Sequence, residues 1–161
     1  MVNFPNNKIP GRTLLPRKRV IEEARKLRGL PHIHLGRNPL AGVDCLGLLC
    51  CVADALGVSD SMPGYDYMSY KTFGFTPTHK PDSLVQLLEA PLVRINNEDK
   101  GLGDIEVYWI RRRTIPCHAA ILTDKGHLHS IGPNKKVVEQ PRSRFWDKRL
   151  VAVFRFPGIE V

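Results

Sequence analysis

The sequence predicts a single α+β domain, and three observations carry that reading. Apolar residues recur at helical spacing in residues 16–29, and residues 44–57 form a nearly all-apolar run between a capping Asp and a terminal Gly. After Gly103 the pattern changes to short runs rich in β-branched and aromatic residues, separated by turn formers. The chain has 161 residues, 42% of them hydrophobic and 25% charged. That is enough to bury one core without disulfides or a structural metal. Helices first and antiparallel strands second predict a curled sheet packed on a central helix.

Residues 1–15 mix Pro, Asn, Gly and basic side chains and read as an extended arm outside the core. The segment PRKRVIEEARKLRG, residues 16–29, places Val20, Ile21, Ala24 and Leu27 on one helical face, with Pro and Gly at its ends. Residues 30–43 carry repeated Gly and Pro and predict a structured loop. The second helix, DCLGLLCCVADALG, has Asp44 as N-cap and Gly57 just past its end. It is apolar on nearly every side, which predicts a buried, central position. Residues 58–80 read as an irregular surface crossing. Residues 81–90 predict a short helix with Leu84, Leu87 and Leu88 on one face. Five strands follow, in IEVYWI, HAAILTD, HLHSIG, KVVEQ and LVAVFRF. The domain spans 16–157, and 158–161 form a tail. Arm and tail, read as exposed, are candidate docking segments.

Cys45 opens the apolar helix. A thiol there faces unpaired N–H groups and the positive end of the helix dipole, which favour the thiolate. The same amides suit an oxyanion, and Gly42 and Gly47 allow close approach on either side. His118 supplies a base, and the Thr-Asp-Lys-Gly connection turns its strand back so that His129 can share its face and orient it. Cys50, Cys51 and Cys117 read as core. His34 and His127 read as partly exposed residues beside a groove. The pairs His32/His34 and His127/His129 also have the spacing of zinc ligands, with Cys45 or Cys117 as a further one. No Cys-x-x-Cys or His-Glu-x-x-His supports a metal, and no metal or cofactor is expected.

Lys and Arg number 24 against 16 Asp and Glu, giving a net charge of +8 and pointing to an anionic partner. Arg17-Lys18-Arg19 and Arg111-Arg112-Arg113 lack an accompanying nucleic-acid motif and read as solvated or protein-binding surface, so no nucleic acid is expected. No apolar run approaches a membrane span, and residues 1–20 lack the apolar stretch of a secretory leader. Membrane insertion is not expected, and delivery outside a cell would depend on another component.

Asp44-Cys45-Leu46-Gly47-Leu48, Gly103-Asp104-Ile105, His118-Ala119-Ala120-Ile121-Leu122 and His129-Ser130 together resemble the NlpC/P60 family of papain-like cysteine peptidases. The resemblance runs from about Val20 to Phe156. It looks closest to the phage tail-associated branch, on the loop Gly29-Leu30-Pro31-His32-Ile33-His34-Leu35-Gly36-Arg37 and the ending Phe154-Arg155-Phe156-Pro157. It implies a papain-like NlpC/P60 fold, with Cys45 as nucleophile, His118 as base and His129 as third member. It also implies cleavage of peptidoglycan stem peptides after a γ-linked D-glutamate, commonly joined to a diamino acid. The family usually has a tyrosine after the loop proline, lining the site near the oxyanion. Here His32 stands there, so His32 and Asp44 are the oxyanion and substrate-site candidates. The implied setting is a protein made in the bacterial host cytoplasm, carried with other tail-tip proteins on the virion and acting at the cell wall. The competing reading is a catalytically silent plug or adaptor of the tail tip.

Overall fold

The computed structural model describes residues 7–69, 83–110, 116–131 and 135–161. Helix α1, Arg17–Arg25, starts after Pro16 and buries Val20, Ile21 and Ala24. Gly29, at φ +88°, then turns the chain into the loop. A small hairpin of β1, Arg37–Asn38, and β2, Gly42–Val43, leads to α2, Cys45–Ala55. Asp44 caps α2 by accepting the Gly47 N–H, and Gly57 follows the C-cap at φ +67°. Every α2 residue from Leu46 to Ala53 is buried, so the all-apolar composition does mark a central helix.

The crossing after α2 is more regular than its turn-forming composition predicts. It holds a 3-10 turn at Ser59–Ser61 and α3, Tyr65–Ser69, anchored where the Tyr65 hydroxyl donates to Asp54 Oδ1 at 2.6 Å. Helix α4, Ser83–Glu89, buries Leu84 and Leu88.

The main sheet has six antiparallel strands where the sequence predicts about five. They are β3, Val93–Ile95; β4, Ile105–Trp109; β5, Pro116–Thr123; β6, Gly126–Ser130; β7, Val137–Gln140; and β8, Leu150–Arg155. Their spatial order is β3-β8-β4-β5-β6-β7. The added strand, β3, has three residues, too few for a period-two pattern to register. Its partner β8 crosses back to lie between β3 and β4. A further short helix, α5 at Arg144–Asp147, lies inside a segment the sequence leaves unassigned.

The sheet has two differently used faces. Ile105, Val107, Ala119, Ile121 and Leu128 join the α2 side chains in the main core. Alternate positions Tyr108 and Ala120 pack with Trp146 of α5. Asp104, fully buried beside β4, ties the frame together. It accepts from Arg155 Nε at 2.7 Å and Nη2 at 2.8 Å, from Arg17 Nη1 at 3.2 Å and from the Gly101 N–H at 2.8 Å.

The described ends are exposed only in part, against what their composition suggests. Ile9 and Ile159 are buried, Leu15 bridges Ile159, and the Gly158 N–H donates to the Asn7 carbonyl. Backbone pairing and apolar burial draw Asn7, Ile9 and residues 157–159 into the core, while Lys8 and residues 10–13 stay exposed. Among the described residues, no helix is long and apolar enough to cross a membrane. The expected core side chain of Cys117 and the run Arg111-Arg112-Arg113 lie outside the described residues, as do 1–6, 70–82 and 132–134.

Candidate active site

The site is built where the start of α2 meets β5 and β6. Helix α2 is held there by its cap and by the loop before it. Asp44 Oδ1 accepts from the Gly47 N–H at 2.7 Å and from Arg37 Nη1, and Oδ2 accepts from the Leu35 N–H at 3.0 Å. A side chain at Gly47 would overlap the Gly36 carbonyl, so the loop lies directly on the first turn of α2. Leu35 adopts φ +58°, an uncommon conformation for a leucine, within the segment that Asp44 anchors. Asp44 is thus committed as an acceptor on three donors. Its ionised carboxylate has no hydrogen to offer an oxyanion, which makes it a positioning residue.

Cys45 is partly exposed, with its thiol against the backbone amides of Ala119 and Leu46. Burial pushes that thiol up to about 12, and the neighbouring Asp44 charge adds to the effect. The Ala119 N–H, Arg37 and the Leu46 N–H act in the opposite direction but do not prevail. Desolvation thus works against the thiolate that the helix start was expected to favour.

His118 on β5 and His129 on β6 meet as the hairpin predicts. The strands pair Ile121 with Leu128 and Leu122 with His127 around a two-residue turn. Continuing that register sets His129 opposite Ala120 and diagonal to His118. His118 Nε2 lies 2.8 Å from His129 Nδ1. His118 is held well below its ordinary value of 6.5, chiefly by desolvation, with His129, His127 and His32 adding repulsion. Burial likewise lowers His129 to about 3. The rings are neutral at neutral pH. Among the described residues Cys45 and His118 share no direct thiol–imidazole hydrogen bond; the thiol instead faces the amide of the next residue, Ala119. Catalytic hydrogen bonds in ligand-free enzymes are often long and tighten only with substrate.

His127 corrects another expectation. It is fully buried, not groove-lining, because i and i+2 on β6 share a face and that face is covered by α5. Its ring lies 4.5 Å from that of His129 and 4.8 Å from that of Trp146, and Gln140 approaches its Nε2 at 3.3 Å. Burial lowers it to about 4. Trp146 also contacts His118 at 5.7 Å and His129 at 5.2 Å between ring centroids, closing the back of the histidine pair. The sequence offers no periodic signal for Trp146, since α5 is four residues long. Cys50 and Cys51 are buried as expected, and His34 is exposed. Among the described residues, no three His, Cys, Asp or Glu side chains form a group suited to a metal.

His32 belongs to the same neighbourhood. Its backbone bridges Val43, two residues before Cys45, and its Nδ1 lies 2.9 Å from Ser130 Oγ, next to His129. Of the first-turn amides of α2, Gly47 is taken by Asp44 and Leu46 faces the thiol, while Cys45 has no protein acceptor among the described residues. That leaves the Cys45 N–H as the amide available to an oxyanion.

No protein-family profile and no curated sequence matches the chain. Solved structures do. A protein described as similar to a lipoprotein of the NLP/P60 family, from Staphylococcus aureus, superposes with a TM-score of 0.58 at 21% identity, covering 99% of this chain and 46% of its own. An NlpC/P60 family protein from Bacillus cereus gives 0.60 at 18%, covering 89% and 41%. The NlpC/p60 domain of the peptidoglycan hydrolase SagA gives 0.54 at 16%, covering 88% and 100%. The chain thus spans less than half the length of the first two and the whole of the third. At these identities the likeness concerns the fold: the chain has an NlpC/P60-like α+β fold.

Proposed function

We propose that the protein is a cysteine endopeptidase that hydrolyses peptidoglycan stem peptides at a γ-D-glutamyl–diamino acid bond. The observation that carries the reading is the His118–His129 contact beside a cysteine at the start of the buried helix. With desolvation raising the thiol and lowering the imidazole, attack and proton transfer occur together. His118 Nδ1 takes the thiol proton as Sγ bonds to the scissile carbonyl carbon, while Nε2–H donates to His129 Nδ1. The Cys45 N–H holds the oxyanion. Imidazolium returns the proton to the leaving nitrogen, and the C–N bond breaks to give a thioester. Water, deprotonated by His118, then releases the new carboxylate and regenerates the thiol. The excess of basic residues suits an anionic wall.

The phage-branch likeness of residues 29–37 and 154–157 supports a place at a phage tail tip, with synthesis in the host cytoplasm and action at the wall. The test is mass spectrometry of fragments released from purified sacculi. Fragments ending in a γ-linked D-glutamate, paired with newly free diamino acid α-amines, are expected. Cleavage at another bond would overturn the specificity, and absence of any release would favour the structural plug.

A further inference from the structure

His32 stands where the NlpC/P60 likeness expects a tyrosine hydroxyl, so the state of its ring decides what it can do. Ser130 Oγ lies 2.6 Å from the Val43 carbonyl and 2.9 Å from His32 Nδ1. A carbonyl oxygen only accepts, and a hydroxyl has one hydrogen. Ser130 therefore donates to Val43 and can only accept from His32. The hydrogen of the neutral His32 ring must then sit on Nδ1, which leaves the Nε2 lone pair bare. Ser130 is buried, and Val43 is fixed by the Ile33 N–H, which donates to the same carbonyl at 3.3 Å, and by its own N–H, which donates to Pro31. The chain of bonds is thus anchored at its far end by backbone. Among the described residues Nε2 has no hydrogen-bond partner, and the partly exposed ring lies within electrostatic reach of His118.

We propose that His32 is a specificity-determining hydrogen-bond acceptor, receiving an N–H or O–H group of the bound peptide at Nε2. It is not a donor to the oxyanion, the part a tyrosine hydroxyl could play from the same place. The role as substrate contact rests on the peptidase reading above; the tautomer does not. A site with an acceptor here holds ground state and transition state alike, so its loss raises KM and leaves kcat.

Two measurements test this and fail separately. Long-range proton–nitrogen correlation NMR on the full-length protein labelled at histidine nitrogens, at pH 8, reads the tautomer without any turnover. His32→Gln identifies the signal by its disappearance. The expected state is Nδ1–H; an Nε2–H ring would overturn the proposal even if the protein is an active peptidase. Ser130→Ala should release that preference, and the wild-type spectrum stands alone should this variant not fold. On a soluble stem peptide, His32→Phe should raise KM about fivefold to tenfold, the worth of one hydrogen bond, with kcat retained. His32→Gln, which keeps an acceptor, should recover most of it. A fall in kcat at unchanged KM would overturn the proposal in favour of an oxyanion donor. An inactive wild type that shows Nδ1–H would sink the peptidase reading and the substrate contact together, leaving the tautomer standing.

Discussion

Acid should destabilise this fold well above the pH at which carboxylates titrate, because three neutral histidines share one buried patch. His127 and His129 are 0% exposed, and burial lowers them to about 4 and about 3 from 6.5. In the unfolded chain each binds a proton below about pH 6.5, whereas in the folded chain each stays neutral until its lowered value. The unfolded state therefore binds more protons in this window, and stability is lost as pH falls from 6.5 toward 4. At pH 5 the difference amounts to roughly 2 kcal/mol per histidine, or about 4 kcal/mol for the pair. His118, shifted in the same direction, adds to it. A loss of that size is a large share of the 5–15 kcal/mol typical of a whole domain. Glu139 is shifted downward by Arg25, so its contribution holds at pH 5 and disappears only in stronger acid. Urea unfolding followed by tryptophan fluorescence at pH 7.5, 6 and 5 measures the slope. His127→Phe should lower it by about 1.4 kcal/mol per pH unit, one proton's worth. Stability that is flat between pH 7.5 and 5, or a slope indifferent to His127→Phe, would refute the reasoning.

Three other outcomes follow from the same geometry. With its thiol pushed up to about 12, Cys45 should react slowly with iodoacetamide at pH 7 and roughly tenfold faster per pH unit above it; rapid, pH-independent alkylation of Cys45 between pH 6 and 7 would instead reveal a thiolate. Gly47→Ala drives a methyl into the Gly36 carbonyl and should cost about 1–3 kcal/mol or more, read as a lower Tm; an unchanged Tm would contradict the close contact. Asp104→Asn leaves Arg155, only 2% exposed, without its counter-charge, and should cost about 3–5 kcal/mol in urea unfolding.

The parts of the fold that were legible in the sequence are those whose local chemistry agrees with their tertiary setting. Asp44 before an apolar run and Gly57 after it bounded α2, and the Asp-Lys turn with alternating neighbours set the register that joins His118 to His129. What escaped depends on distant contacts. Val93–Ile95 becomes a strand only because β8 pairs with it, and Ile9 is core only because residues 158–160 pair with 7 and 15. His127 looked like a groove residue until α5 covered its face with Trp146. The helix dipole at Cys45 was visible in the sequence, but the desolvation that opposes it was not, because it is set by how β5 lies against α2. The Ser130 hydroxyl stood inside a recognised motif, yet its effect on His32 needs the Val43 carbonyl, 87 residues away.

The role assigned to Cys45 is tested most directly by amino groups released from purified sacculi, comparing wild-type protein with Cys45→Ala at equal concentration and with matched unfolding curves. Release by the wild type and none above background by Cys45→Ala is the expected result. Equal release by both would contradict a nucleophilic Cys45.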